Sequence, residues 1–414
     1  MRQSKLFSKT LKEAPKDEKS VSAKLLIRAG FIDKVSSGLY NFLPLGYKVH
    51  KKIENIIREE MNNIDAQEVY LIALHPKEFW EKTNRWGIKE IFKLKSQSEK
   101  EYALSWTHEE IITPLAKKII SSYRDLPKYV YQIQVKMRDE LRPKSGILRT
   151  KEFIMKDLYS FHYSKSDLDN YYERVKNAYF KIFERCGVLP FTYLTLASGG
   201  TFSDYSHEFQ TICSAGEDTI HICSECDFAI NKEVKSEFNR CPVCGNNNFV
   251  KKNAIEVGNI FKLGIKYSKA FNLTFKDENG KNKTVIMGCY GIGLGRLMGA
   301  IVETNNDKNG IIWPEEVAPY AVHLIKLENK EAEIEKISDK IYRDFEKNNI
   351  EVLYDDRTDK SPGEKFAEAD LIGIPYRVVI SKRTLSKGCV EVKRRDENKA
   401  ELVKIDSIVS KFRF

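Results

Sequence analysis

No stretch of the chain approaches the roughly 18 uninterrupted apolar residues of a membrane span. The opening residues, MRQSKLFSKTLKEAPKDEKS, lack the apolar core of a secretory leader. The eight cysteines are scattered, apart from four inside one short segment, which is not the distribution of a disulfide scaffold. Membrane residence and secretion are thus disfavoured, and a cytoplasmic protein with reduced thiols is the expectation. There is no internal repeat, no low-complexity linker and no large excess of one charge. The 69 Lys and Arg against 59 Asp and Glu leave a net +10, modest but of the sign that suits a polyanionic partner. With 42% hydrophobic residues the chain can bury a large core, and 414 residues predict two to four domains.

The segment 47–62, YKVHKKIENIIREEMN, spaces Val49, Ile53, Ile56, Ile57 and Met61 as one apolar helix stripe, with Pro44 and Gly46 at its start. A second long amphipathic helix is expected over 167–186, with Asp167 as its cap. KYVYQIQVKMR, 128–138, reads as strand, and strand character returns at Gly146 to Phe153, which predicts an antiparallel hairpin. Long helices mixed with β-rich stretches, without regular βαβ alternation, predict an α+β catalytic region. Beyond a boundary near 317 the pattern becomes VHLIKL, a helix over 330–348, EVLYDD, a helix over 363–371, YRVVI and CVEVKRR, which predicts a compact α/β domain with a partly parallel sheet.

Three clusters could carry chemistry. On the hairpin, Arg138 and Glu140 are two apart and share a face, Arg149 near the loop can reach a phosphate, and Phe153 offers an aromatic surface to a flat base. The surrounding stretch 114–160 holds eleven basic against five acidic residues, a local excess that favours an anionic ligand. The second cluster is MGCYGIGLGRLMGAIVE, 287–303, where a glycine-rich run enters a helix with Arg296 in its first turn. It does not fit the dinucleotide fingerprint GxGxxG. The third is Cys223, Cys226, Cys241 and Cys244, two CxxC pairs fourteen residues apart, the spacing of a four-thiolate structural zinc ribbon with no open position for water.

Taken in order, RDE, a following Arg, EF and MKD, then GIGLGR, resemble motifs 2 and 3 of class II aminoacyl-tRNA synthetases, and the 47–62 helix resembles motif 1. Longer stretches, AKLLIRAGFIDKVSSGLYNFLPLG, THEE at 107–110, YQIQVKMRDELRPKSGILRTKEFIMKDLYSFH, SHEFQ at 206–210 and MGCYGIG, resemble the bacterial-type prolyl-tRNA synthetases. VLYDDR and PGEKFAEADLIGIPYRVVI resemble that family's anticodon-binding domain. The resemblance spans nearly the whole chain. It implies a class II antiparallel sheet flanked by helices over 1–317, with a cysteine ribbon at 220–250 in place of the family's inserted editing domain, and an anticodon-binding domain over 318–414. It implies ATP with Mg²⁺, proline and tRNA for proline as reactants, and a homodimer.

Residue by residue, the resemblance gives Arg138 the α-phosphate of ATP, Glu140 the adenine amino group, Phe153 the adenine face, and Arg149 and Arg296 the outer phosphates, with Gln210 and Gly293 also at the nucleotide. Arg138 and Arg296 are the catalytic pair. Thr107 and Glu109 match residues that grip the secondary amine of proline, and His207, Cys289, Gly291 and Arg138 line the same pocket. No adjacent base is visible for Cys289, so a nucleophilic role is not expected. Arg357 and Lys365 are candidates for anticodon contact. The departures are Trp106 where the family has proline, Lys151 for an arginine, Gly295 for a hydroxyl residue and GGTFSDYSHEF for GSIGGSASHEF. A synthetase for another amino acid such as threonine is the enzymatic rival, disfavoured by THEE with GCYGIG. A synthetase-like RNA-binding protein is the other, disfavoured by the intact ATP set. His50, His75, His162 and His323 show no ligand spacing. The domain 318–414 carries twenty basic and nineteen acidic residues, so its RNA recognition is expected to be local and shape-specific.

Overall fold

The computed structural model describes residues 1–199, 205–327 and 331–412. Residues 200–204 of the GGTFSDYSHEF stretch lie outside them. Two compact units are present, one formed by 36–39 and 53–300, the other by 1–35, 40–52 and 301–414.

The first unit is built on a nine-stranded sheet in the order Tyr205–Ile212, Thr192–Ser198, Ala229–Asn231, Asp218–Cys223, Phe249–Gly264, Ile286–Gly293, Glu152–His162, Lys128–Met137 and Gln67–Glu68. Its pairings are antiparallel except Ala229–Asn231 with Thr192–Ser198 and Gln67–Glu68 with Lys128–Met137. The helix Lys165–Arg185 covers one face, where its buried Tyr171, Tyr172 and Tyr179 meet Tyr290 and Phe209. That helix starts two residues before the expected position. Ser164 is the cap, accepting from the Asp167 amide, while the Asp167 carboxylate bonds His162 instead.

The hairpin is present, with Val135 opposite Ile154, but its second strand begins at Glu152 rather than Gly146. Ser145 and Gly146 take consecutive left-handed conformations, which no strand accommodates, and Gly146–Leu148 forms a short 3₁₀ turn.

The second unit has a five-stranded sheet in the order Val352–Asp355, Val322–Lys326, Tyr376–Ile380, Cys389–Arg394 and Ala400–Lys404. Its first three strands are parallel and its last two antiparallel, with helices Ala332–Lys347 and Pro362–Ile372 between strands. The partly parallel α/β domain expected from sequence is therefore present, extended by the strand at 400–404. The opening residues pack on this sheet as well. The Met1 amine donates to Val352 O, and Arg2 bridges Asp339 and Asp356. The linear boundary near 317 does not anticipate that contact.

The helix Pro44–Asn62 takes in the whole motif-1 stripe, with Val49, Ile53, Ile56, Ile57 and Met61 all buried. The fold is thus mixed, with a largely antiparallel sheet in one unit and an α/β layer in the other.

Candidate active site

The hairpin leaves Arg138 immediately beyond the strand end, its amide donating to Lys151 O. Its guanidinium carbon lies 5.2 Å from the ring centres of both Trp106 and Phe153. Among the described residues it enters no ion pair, and its buried Nε has no partner. Burial and the nearby Arg296 depress its basicity. Such a cation, held by aromatic faces and short of anions, is suited to an anionic ligand.

Around it the pocket is lined by Glu140, Arg149, Phe153, Met155, Gly291 and Arg296. Gly291 is crowded, because a Cβ there would come within 2.2 Å of the Met155 terminal methyl, so that flexible side chain would have to move aside. Gly293 is not, since its Cβ would meet nothing nearer than 3.6 Å; it ends the strand just before the helix Leu294–Thr304. In the first turn of that helix Arg296 donates to Leu148 O, Glu256 O and the Glu256 carboxylate. Arg149 donates to Glu140 through Nε and Nη2 and to Glu217 through Nη1. Buried Gln210 donates to Glu208 and Asp218, and its Oε1 has no partner. Burial and the neighbouring Glu256 push the Glu208 carboxyl up to about 8, and burial also raises Asp218. These residues were legible in part only: Glu208 stands inside SHEFQ but was given no role, and Glu217, Asp218 and Glu256 belong to no motif singled out in the sequence.

A second group lies at the start of the helix Glu109–Ile119. Glu109 is 3% exposed and accepts from the Cys289 thiol at 3.4 Å. Arg85, absent from the sequence reading, is its organiser. Nη1 of Arg85 contacts Glu110 at 2.8 Å, the Tyr267 hydroxyl at 2.7 Å, Thr107 Oγ1 at 3.3 Å and Glu109 at 3.4 Å. Burial alone would raise Glu109, but the Arg85 charge together with hydrogen bonds from Thr107, the backbone and Cys289 outweighs it and holds that carboxyl low. For Glu110 burial and the Glu109 charge win, and its carboxyl is raised. Burial lifts the Cys289 thiol well above its ordinary range, so it is no nucleophile.

His207 does not join this group. It shares a hydrogen bond with Tyr172 on the covering helix, on the side of the strand where Phe209 packs, because alternation along SHEFQ sends Glu208 and Gln210 to the other side.

The four sulfurs of Cys223, Cys226, Cys241 and Cys244 lie within 4.8 Å of one another. The pairs Cys223–Cys244 and Cys226–Cys241 are 3.5 and 3.4 Å apart, too long for disulfides and close to the ~3.8 Å edge of a tetrahedron with Zn–S bonds of ~2.3 Å. Backbone amides of Glu225 and Cys226 donate to Cys223, and the first of these is the main reason its thiol falls to about 6. Donor type, spacing and amide support all fit a structural zinc ion.

In the other unit Arg357 is clasped by Asp355 and Glu368. Lys365 is 1% exposed and donates to Lys326 O, so a nucleic-acid base has no access to its ammonium. Burial of a bound ammonium inside the fold corrects the expectation of an anticodon contact there.

The family described as tRNA synthetase class II core domain (G, H, P, S and T) matches residues 92–305, and an anticodon binding domain matches 321–414. A proline–tRNA ligase of Caldicellulosiruptor saccharolyticus is 35% identical, covering 99% of this chain and 97% of its own length. One of Geobacillus sp. is also 35% identical, with 100% and 99% covered. That alignment runs to 565 positions against 414 residues here, so the relative carries sequence this chain does not. Among solved structures, the prolyl-tRNA synthetase of Cryptosporidium parvum complexed with L-proline and AMP superposes with a TM-score of 0.77 at 22% identity, over 94% of this chain and 73% of that one. At that identity the likeness is one of fold.

Proposed function

The chain belongs to the proline–tRNA ligase family of class II synthetases, in a short form, and from that premise we propose how its residues divide the work. Proline and ATP give prolyl-adenylate and pyrophosphate, and the prolyl group then passes to the 3′ end of tRNA for proline. The observation that carries the assignment of roles is Arg138, a stacked guanidinium that has no anionic partner among the described residues and lines the pocket next to the Thr107–Glu109 group.

Attack of the proline carboxylate on the α-phosphorus needs in-line placement and positive charge where it accumulates, not a protein nucleophile. Arg138 holds the α-phosphate and the incoming carboxylate. Phe153 stacks on adenine, Glu140 accepts from its amino group, and Arg149 and Arg296 bind the outer phosphates by exchanging carboxylate partners for phosphate oxygens, with Gly293 leaving the backbone open beside them. Thr107 and the ionised Glu109 bind the secondary ammonium of proline. Gly291 makes room for its ring, and Cys289 is a small wall residue that donates to Glu109. His207 supports the wall through Tyr172.

Gln210, Glu208, Asp218 and Glu256 fit a divalent cation, because an orphan carbonyl oxygen and carboxyls raised by burial are what such an ion would satisfy. A magnesium ion held there would neutralise charge on the outer phosphates.

The division proposed is a catalytic region over 1–317 and an anticodon-binding region over 318–414, with Lys365 and Arg357 bracing the latter. A homodimer is supported by Tyr70, Ile72 and Leu74, which alternate along one segment at 82, 54 and 44% exposure. Fourteen residues between Cys226 and Cys241 close a ribbon loop but cannot enclose an aminoacyl ester, so no editing in cis is proposed. Among the described residues no helix is long and apolar enough to cross a membrane. With reduced thiols and a tRNA substrate, the cytoplasm is the proposed compartment. The test of function is amino-acid-dependent exchange of pyrophosphate into ATP with each of the twenty amino acids; a best substrate other than proline overturns the assignment.

A further inference from the structure

Trp106 lies in the short connection between the strand Glu101–Leu104 and the helix Glu109–Ile119. That connection is pinned to the strand that delivers Arg138. The Met137 amide donates to Ser105 O, and the Ser105 hydroxyl donates to Val135 O at 2.8 Å. The indole packs on the buried cluster of Trp80, Ile91 and Ala103. Two cations meet it. The guanidinium carbon of Arg85 is 5.0 Å from its ring centre and that of Arg138 is 5.2 Å away.

The two arginines have opposite needs. Arg85 is neutralised by Glu109 and Glu110 and enclosed by Trp80, Trp106 and Tyr267. Arg138 has no ion pair among the described residues, and its position depends on the faces of Trp106 and Phe153. One ring therefore sets the place of both the arginine that orients Thr107 and Glu109 and the arginine that faces the pocket.

We propose that Trp106 is a positioning residue that fixes Arg138 relative to the Arg85–Glu109 group, so that the amino-acid carboxylate and the phosphorus it attacks meet in line. This rests on the reading of the reaction given above. Misplacement by about 1 Å is enough to cost about a hundredfold in such a step. Aromatic faces are the means because a carboxylate beside Arg138 would compete with the substrate for it.

The experiment compares Trp106→Phe with Trp106→Leu in proline-dependent pyrophosphate exchange, measuring kcat and KM for proline and for ATP. Trp106→Leu is expected to raise KM for proline and lower kcat, each by about tenfold, while KM for ATP stays within about threefold; Trp106→Phe, which keeps an aromatic face, should return to within about threefold of wild type. A purely structural role would lower the active fraction and the melting temperature of both variants without moving KM for proline. If Trp106→Leu is insoluble, Trp106→Met, flexible and without a π face, carries the same comparison. Equal kinetics for the aromatic and aliphatic variants, or an unchanged KM for proline in the latter, overturns the proposal. Wild-type protein without proline-dependent exchange would instead overturn the reading on which it rests.

Discussion

Replacing Arg138 by alanine gives the cleanest separation of catalysis from folding that the site offers. Arg138 has no carboxylate partner among the described residues, so its removal strands no buried anion there. What the fold loses is stacking on Trp106 and Phe153, worth ~0.5–2 kcal/mol and partly offset by relief of the desolvation that depresses its basicity. Net destabilisation should stay near ~1 kcal/mol. Catalysis loses a preorganised donor where charge develops, typically ~100- to 1000-fold in kcat, or ~2.7–4 kcal/mol. Arg296→Ala makes the contrast, because it takes the donor from Leu148 O and from Glu256 Oε2, leaving that carboxylate only Asn259 among the described residues, and should add ~1–3 kcal/mol of lost stability to a similar loss of rate. Arg138→Lys keeps charge but not the planar stack and should fall between. The assay is pyrophosphate exchange at saturating and limiting proline, paired with urea unfolding. Exchange by Arg138→Ala within about threefold of wild type would remove this residue from the reacting phosphate.

Elemental analysis of protein grown with metal supplied should find one zinc per chain, and Cys241→Ser should lower both metal content and melting temperature; clearly less than one equivalent in the wild type counts against the ribbon. Preformed alanyl-tRNA for proline should survive incubation with the enzyme at the enzyme-free rate, and faster ester loss would reveal an editing site. This matters because a pocket sized for proline discriminates against alanine by only ~10- to 200-fold. The third concerns pH. Buried His323 bonds Gln3 and faces Asp355, Arg357, Lys365 and Arg377, and burial lowers it to about 4. The unfolded chain takes up its proton below about pH 6.5 while the folded chain does not, so stability is complete above that value and declines as pH falls towards 4. Between about pH 7.5 and pH 5 the wild type should lose ~2 kcal/mol more than His323→Asn, and parallel stability curves would refute the assignment.

The parts of the site carried by consecutive residues were readable in the chain. RDE at the end of an alternating strand and GIGLGR at a strand-to-helix junction reveal their local structure, and the structure sets both around one pocket. Arg85 was not readable, because its partner Tyr267 lies 182 residues away and Arg85 itself stands in no pattern. Glu217 and Glu256 escaped for the same reason. His207 shows a different limit. Period-two alternation in SHEFQ separates His207 and Phe209 from Glu208 and Gln210, but which pair faces the pocket depends on where the covering helix lies, and that is tertiary information. A lysine in sequence reads as a surface residue, yet Lys365 is buried on a backbone carbonyl beside Asp355. The packing of Met1 and Arg2 on the C-terminal sheet leaves no compositional trace at all.

The cysteine ribbon and the pocket are closer in mechanical terms than their separate motifs suggest. Cys223 is the last residue of the strand Asp218–Cys223, and it pairs with Phe249, the first residue of the long strand Phe249–Gly264. At the other end of the same pairing Asp218 stands opposite Ala254, two residues before Glu256. A metal bound by the four thiolates would therefore staple one end of a two-strand ladder whose other end carries carboxylates of the pocket. Fraying of a ladder starts at its ends and spreads inwards, so a staple at Cys223 opposes drift of Asp218 and Glu256 by shortening the free length of both strands. In a chain that carries only a loop of fourteen residues between its cysteine pairs, the thiolate cluster is best understood as the terminus of the catalytic sheet rather than as a separate module.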